Sequence, residues 1–177
     1  DPNFPGAIIV HAAGNGGFGY GTITAPGSAS MVITVGASTD FHTVGYQFSN
    51  SPNSKSDDVI AWSARAPTPV GEIKPDVMNV GAFAFDIANI WLTGAWTVFS
   101  GTSQATPLTA GVVALMLEGT GKTVTNPQTI RTILQTTAKD LGYNGLVQAS
   151  GRVDAYRAVK LAKGVAPDPG FKISSTE

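Results

Sequence analysis

The chain has 177 residues, of which 42% are hydrophobic and 13% are charged, about half the charged share of an average soluble domain. This composition indicates a single globular domain with a sizeable core. The net charge of -1 argues against a nucleic-acid partner. The apolar runs are too short to cross a membrane. Because the chain has no cysteine, it forms no disulfides and no thiolate metal sites.

Short apolar segments rich in β-branched residues predict strands that are buried on both faces. Residues 7–13 form the first, which ends in the glycine-rich turn Gly14-Asn15-Gly16-Gly17, and residues 31–37 form the second. Shorter candidate strands follow at 59–63, 76–80, 84–91 and 95–99. The polar residues 49–58 predict a surface loop before the third candidate.

The second half of the chain predicts helices. Residues 102–117 are apolar almost all round, which is typical of a helix buried inside a domain. Asn126 as N-cap and Pro127 at the first position begin another helix, and residues 155–162 form a third. This order of strands and helices predicts an α/β fold with parallel strands. Residues 164–177 are predicted to be a tail or a linker.

The most specific motif is Gly101-Thr102-Ser103-Gln104-Ala105-Thr106-Pro107, at the start of the 102–117 helix. A serine in that place lies beside unpaired backbone N–H groups and the positive end of the helix dipole. It can attack a carbonyl while donors already in place stabilise the charge that develops on oxygen. The simpler interpretation is a helix cap formed by Ser103, with Thr102 sharing the role.

The motif closely resembles the nucleophile motif of the subtilisin-like serine proteases, and further segments resemble that family in the same order. They are Ala12-Ala13-Gly14-Asn15-Gly16-Gly17, Trp62-Ser63-Ala64-Arg65-Ala66-Pro67-Thr68, Lys74-Pro75-Asp76-Val77 and Gly151-Arg152-Val153-Asp154-Ala155-Tyr156-Arg157-Ala158-Val159. The resemblance runs from residue 7 to 162. It implies a three-layer α/β fold, with a mostly parallel sheet flanked by helices, and an extracellular endopeptidase that cleaves polypeptides.

The resemblance also implies the roles of individual residues. Ser103 would be the nucleophile that forms the acyl-enzyme, and the oxyanion would be held by the Ser103 N–H and the Asn15 side-chain amide. The chemistry would need no cofactor. Glycine at 101 allows close approach of the substrate backbone. The residues expected to bind substrate are Ala13, Gly14, Gly101 and Thr102.

The family's general base has no match in the chain. The family's triad runs Asp, His, Ser along the sequence, but the histidines here are His11, inside the first strand, and His42, in the loop after the second. Neither stands in the family's histidine motif. We therefore expect residues 1–163 to be the C-terminal portion of a peptidase domain. A missing N-terminal portion would supply the Asp and His, and this chain alone would be inactive.

Other interpretations stay open. A sedolisin-like serine-carboxyl peptidase shares the Gly-Thr-Ser motif and the fold but has aspartate where Asn15 stands. A non-catalytic module of the same fold would bind peptides or serve in assembly. One interpretation of Asp57 and Asp58 is a structural calcium site, because acidic loops bind calcium in some members of the family. No ligand spacing supports that ion, and a solvated acidic pair is the simpler interpretation.

Overall fold

The computed structural model describes residues 7–40, 56–82, 84–87 and 94–166. The strands are β1 (Val10–Ala12), β2 (Ile33–Thr39), β3 (Val77–Ala82), β4 (Ala84–Ile87) and β5 (Trp96–Phe99). The helices are α1 (Thr102–Gly119), α2 (Pro127–Thr137), α3 (Gly145–Gln148) and α4 (Ala155–Ala162).

Strands β1, β2 and β3 form a parallel sheet in that order. Val10 of β1 lies opposite Ile33, and Val35 of β2 lies opposite Val77. Every residue of β2 is buried, as expected for a central strand that is covered on both faces. Because the strands are parallel, their carboxyl ends share one edge of the sheet, where ligand sites of α/β folds usually form.

The two faces of the sheet are covered differently. Val35 and Val77 pack into the main core together with α1, α2 and α4. Met78 follows Val77 in β3 and therefore points to the opposite face. It belongs to a second cluster with Val59, Leu141 and Val147, the last of these in α3. The sheet lies between a helical layer and a layer of loops with α3, so the predicted three-layer, mostly parallel α/β fold is confirmed.

Strands β4 and β5 form a separate antiparallel ribbon that leads into α1. The predicted strands 84–91 and 95–99 are confirmed over 84–87 and 96–99, and residues 88–93 lie outside the described part of the chain. Ile87 lies opposite Trp96, and both side chains are exposed, by 76% and 68%. The ribbon thus presents apolar side chains to solvent close to the start of α1.

The predicted strand 59–63 is wrong. Val59 forms a single bridge to Ser38, and the chain then turns, with Ser63 N donating to Ile60 O. The sequence pattern was apolar enough for a strand, but this segment covers the sheet instead of joining it. At the other end of the chain, α4 ends at Ala162. The tail beyond residue 166 lies outside the described part, so the boundary at 163 stays a prediction.

Helix α1 was predicted to be buried all round, but one of its sides is exposed. Its inner side packs on the core through Ala105, Val112 and Met116, whereas Leu108 and Leu115 on the other side are 43% and 53% exposed. Nothing in the described part of the chain covers that outer side. Within the described ranges, no helix combines the length and the apolar character needed to cross a membrane.

A buried ion pair joins β3 to its neighbours. Lys74 Nζ lies 2.7 Å from Asp76 Oδ2, and neither side chain has any exposed surface. Lys74 also donates to Val32 O, while Asp76 accepts the Thr34 N–H and pairs with Arg131 of α2. Burial lowers the pKa of Lys74, and its hydrogen bond to Asp76 opposes the shift. This network fixes the start of β3 against β2 and the helical layer.

The acidic pair is bound by neighbouring side chains. The carboxylate of Asp57 forms ion pairs with Lys139 and Arg152, and its side chain is 19% exposed. The Tyr143 hydroxyl donates to Asp58, and this hydrogen bond raises the pKa of Tyr143 above its usual value near 10. The interpretation of these residues as a solvated pair is therefore wrong for Asp57, because two cations flank its carboxylate.

Candidate active site

The turn after β1 and the turn before α1 meet at the carboxyl edge of the sheet. Gly101 N donates to Gly81 O of β3 at 2.7 Å, and Gly14 N donates to Thr102 Oγ1 at 3.2 Å. These bonds hold the first turn of α1 against the ends of two strands. Ser103 is the second residue of that helix and is exposed.

Ser103 does not cap its own helix. The N-cap is Gly101, which makes no side-chain capping bond, and Thr102 is the first helical residue. The backbone N–H and the hydroxyl of Ser103 make no hydrogen bond to any residue within the described ranges. The simpler interpretation of Ser103 as a capping serine is therefore wrong, and no group in the described part of the chain occupies its N–H or its hydroxyl.

The α1 N-terminus is capped from a distance by Asn15. Its Oδ1 accepts hydrogen bonds from Thr102 N at 3.0 Å and from Thr102 Oγ1 at 2.9 Å. The other end of the amide, Nδ2, donates to no residue that the structure describes. The sequence placed Asn15 beside Ser103 only by family resemblance, and the structure brings the two together through Thr102.

Gly101 keeps a small space open between the two available N–H donors. A Cβ atom added there would lie 3.5 Å from Ser103 N, 3.6 Å from Asn15 Nδ2 and 3.8 Å from Phe99 Cε1. The backbone of Gly101 is extended, with φ 161 and ψ 158. An oxygen atom in this space would be close to both donors, which is the arrangement that stabilises an oxyanion.

The other residues predicted to bind substrate belong to the two turns that meet at this edge of the sheet. Ala13 is fully buried beside Ile23 and Ala64, and Thr102 is 1% exposed. Gly14 has φ +108, which favours glycine, and a Cβ there would lie 2.8 Å from Thr24 Oγ1. Of the predicted substrate-binding residues, Gly101 borders the open space, whereas the side chains of Ala13 and Thr102 lie beneath the surface.

Sequence reasoning missed Gly81. A Cβ on this residue would lie 2.6 Å from Ala37 Cβ and 2.8 Å from Gly101 O. The missing side chain therefore allows the turn before Ser103 to approach β3 closely enough for the bond from Gly101 N. A lone glycine inside a strand pattern is the signal that could have indicated this close approach.

The described part of the chain shows no histidine bonded to Ser103. His11 lies in β1, where its Nδ1 is 3.0 Å from Ala12 O, and no hydrogen bond joins it to Ser103. His42 lies outside the described residues. The part of the chain that the structure describes thus combines an exposed serine with two N–H donors, and it shows no base bonded to the hydroxyl.

Residues 3–152 match the model of the Peptidase_S8 family, the subtilase family. The chain belongs to the subtilase family. It is 32% identical to pyrolysin of Pyrococcus furiosus over an alignment of 182 positions, which covers 90% of this chain and 13% of pyrolysin. It is 35% identical to serine protease AprX of Bacillus subtilis over an alignment of 124 positions, which covers 64% of this chain and 26% of AprX.

The fold of this subtilase chain is also found in a solved structure, the self-cleaved protease domain of PatA. The two share a TM-score of 0.68 at 24% sequence identity, and the match covers 91% of this chain and 52% of that chain. The subtilase chain therefore spans about a quarter or less of the curated relatives named above and about half of this solved protease domain.

Proposed function

We propose that this subtilase chain is the nucleophile-bearing portion of a serine endopeptidase. The observation that carries the proposal is the open space beside Gly101, bordered by Ser103 N and Asn15 Nδ2 at the N-terminus of α1. Both are donors without a partner in the described part of the chain, and the exposed Ser103 hydroxyl belongs to the same turn. Such preorganised donors stabilise charge that appears only during the reaction.

The proposed reaction is acyl transfer followed by hydrolysis. Ser103 Oγ forms a bond to the carbonyl carbon of the scissile peptide, and its proton passes to a histidine base. The carbonyl electrons move to oxygen, which Ser103 N–H and Asn15 Nδ2 hold. Collapse of this intermediate breaks the C–N bond, and the amine leaves with the proton from the base. Water then hydrolyses the acyl-enzyme by the same steps, without a cofactor.

The amide at position 15 favours this mechanism over the sedolisin-like alternative. An asparagine Nδ2 donates at any pH, whereas an aspartate in its place donates only when protonated. The contacts of Asn15 Oδ1 with Thr102 N and Thr102 Oγ1 leave Nδ2 as the end nearest the open space. A donor that needs no proton uptake suits a reaction at neutral pH.

We infer that another portion of the protease supplies the histidine base and its aspartate. The outer side of α1 supports this inference, because the apolar side chains of Leu108 and Leu115 are exposed on the helix whose first turn carries Ser103. Strand β1 supports it too, since within the described ranges it pairs only with β2 and has one edge free. A polypeptide that covers both features would reach the side of the helix that carries Ser103.

Active-site labelling by a fluorophosphonate tests the proposal. With the N-terminal portion of the protease present, one adduct is expected, and peptide mapping should place it on Ser103. Ser103→Ala should abolish the adduct, whereas Ser30→Ala, at an exposed serine that bonds Glu72, should not. An adduct on a different serine would refute the nucleophile assignment. No adduct under any condition would favour the non-catalytic module.

The location of the protease is a separate prediction. The family resemblance implies an extracellular enzyme, and nothing in the described part of the chain bears on this. Detection of the protease in the culture medium, in comparison with washed cells, would test it directly.

A further inference from the structure

A pair of buried polar side chains connects β3 to α1. Asn79 of β3 is 8% exposed, and Thr109 of α1 has no exposed surface. Asn79 Nδ2 donates a hydrogen bond to Thr109 Oγ1 at 3.0 Å. Around this bond lies the apolar main core, to which the same two elements contribute Val77, Ala105 and Val112. Apolar contacts tolerate small shifts of a helix, whereas a hydrogen bond between two buried side chains specifies one position.

The bond belongs to a short chain of hydrogen bonds whose direction is defined. A threonine hydroxyl has a single proton, and Thr109 donates it to Ala105 O at 3.0 Å. The same hydroxyl accepts from Asn79. At the other end of the amide, Asn79 Oδ1 accepts the N–H of Val80 at 2.8 Å, so a flipped amide would place its NH₂ group against a donor. Each member of the chain therefore has a single arrangement.

This chain of bonds lies beside an interruption in the hydrogen-bond ladder of α1. Pro107 stands inside the helix and has no N–H, so the helical bond that Ser103 O would accept is missing. The Thr109 hydroxyl adds a bond to Ala105 O across this interruption. Because Asn79 holds that hydroxyl, the first turns of α1 are attached to β3 at the point where the helix is least held by its own backbone.

A backbone hydrogen bond attaches α1 to β3 at a second place. Gly101 N, just before the helix, donates to Gly81 O at 2.7 Å. Gly81 and Asn79 alternate with Val80 in β3, so they lie on the same face of the sheet. Ser103 stands between the two attached positions of the helix, Gly101 and Thr109. Two attachments at different heights fix both the position of the helix along its axis and its rotation.

We propose that Asn79 and Thr109 are a positioning pair that fixes Ser103 against the sheet and the Asn15 turn. This inference rests on the proposed function, because the place of Ser103 matters only if it reacts. Both side chains of the pair are buried, so they act through the helix and do not touch substrate. A displacement of about 1 Å at a reacting group can lower the rate about 100-fold, so a small shift of α1 is enough to matter.

Substitutions at position 109 separate the hydrogen bond from the shape of the side chain. Thr109→Val keeps the branched shape and removes the hydroxyl, whereas Thr109→Ser keeps the hydroxyl. Thr137→Val is the matched control, because Thr137 is 1% exposed and its hydroxyl also bonds a carbonyl one turn earlier in its helix, Ile133 O at 2.7 Å. Within the described ranges the Thr137 hydroxyl bonds only inside α2, so it attaches the helix to no strand.

Peptide hydrolysis by the protease assembled with its N-terminal portion tests the pair, with rates normalised to the serine titrated by a fluorophosphonate. Thr109→Val should lower kcat about 10-fold with KM unchanged, part of the loss that a 1 Å displacement causes. Thr109→Ser and Thr137→Val should both stay within about 2-fold of wild type. In the Thr109→Val background, Asn79→Ala should lower kcat no further, because the bond it would remove is already gone.

The outcomes distinguish this inference from the proposed function. If Thr109→Val keeps the kcat of Thr137→Val, or if Asn79→Ala lowers kcat equally in both backgrounds, the pair does not position Ser103. If Ser103→Ala keeps full activity, the proposed function fails instead.

Hydrogen exchange in the full 177-residue chain tests the pair without turnover. In Thr109→Val, the amide of Ala105 in the first turns of α1 should exchange about 2- to 10-fold faster, the value of one neutral hydrogen bond. The amide of Met116, farther along the same helix, should keep its rate, and Thr137→Val should change neither. An unchanged rate at Ala105, or equal acceleration at both amides, would overturn the inference.

Discussion

The substitution Gly101→Ala tests the open space between the two donors. The added methyl carbon would lie 3.5 Å from Ser103 N and 3.6 Å from Asn15 Nδ2, which is ordinary van der Waals contact. The backbone at 101 is already extended, and alanine adopts that conformation readily. The variant should therefore fold normally, but the methyl group would occupy the place of the oxyanion.

The expected loss follows from that geometry. An oxyanion must lie about 2.7–3.1 Å from each donor, and the methyl carbon leaves no room for an oxygen at those distances. Loss of a single donor in subtilisin, a member of this family, lowers kcat by about 10²- to 10³-fold, or about 2.7–4 kcal/mol, and we carry that measured value over. Since the methyl group obstructs both donors, Gly101→Ala should lose at least about 100-fold.

The assay is peptide hydrolysis by the assembled protease, with kcat and KM measured separately. Gly145→Ala is the matched control, because Gly145 is exposed in α3 and a Cβ there would meet no atom within 4 Å. The control should stay within about 2-fold of wild type, as surface substitutions usually do. If Gly101→Ala melts at the same temperature as wild type and keeps its kcat, the oxyanion does not occupy this space.

Three further predictions concern the supports of the site. Asp76→Ala should lower the free energy of unfolding by about 3–5 kcal/mol in urea titrations, because it leaves the buried Lys74 ammonium without its partner. A loss below about 1 kcal/mol would show that the ion pair does not stabilise the fold. Asp58→Asn should move the pKa of Tyr143 down towards 10 in an absorbance titration at alkaline pH, because the hydrogen bond to Asp58 is the main cause of its raised value. Because the pKa of Tyr143 is raised in the folded state, its hydrogen bond to Asp58 stabilises the fold below about pH 10. This stabilisation is lost as the pH rises through the folded-state pKa of Tyr143. Leu115→Glu should weaken assembly with the N-terminal portion in sedimentation experiments, because it puts a charge on the exposed apolar side of α1. Unchanged assembly would show that the N-terminal portion does not cover this side of α1.

The fold and the centre of the site were largely predictable because their residues have strong local patterns. Strands β2 and β3 are short segments rich in apolar residues. Helix α2 begins after Asn126, whose side chain accepts from Gln128 N and Thr129 N as an N-cap should. The nucleophile motif and the Asn15 turn identified the family, which matching of residues 3–152 confirmed. These features depend on neighbours in the sequence, so the sequence alone shows them.

What could not be predicted depends on contacts between distant segments. Residues 59–63 have the composition of a strand, but they make only one bridge to the described part of the sheet, between Val59 and Ser38. Val59 packs instead against Met78 on one face of the sheet. The periodicity of α1 shows an apolar helix and cannot show that one side lacks a covering layer. The hydrogen bonds of the Thr102 side chain were missed for the same reason, because its partners lie 87 and 88 residues away.

We propose that Ser103 is a nucleophile whose base lies in another portion of the protease. Intact-mass spectrometry after fluorophosphonate treatment tests it most directly, with the 177-residue chain measured alone and after assembly with the N-terminal portion. We expect no adduct on the chain alone, one adduct in the assembly, and none in the Ser103→Ala assembly. Equal labelling of the chain alone, or an adduct that persists in Ser103→Ala, would contradict it.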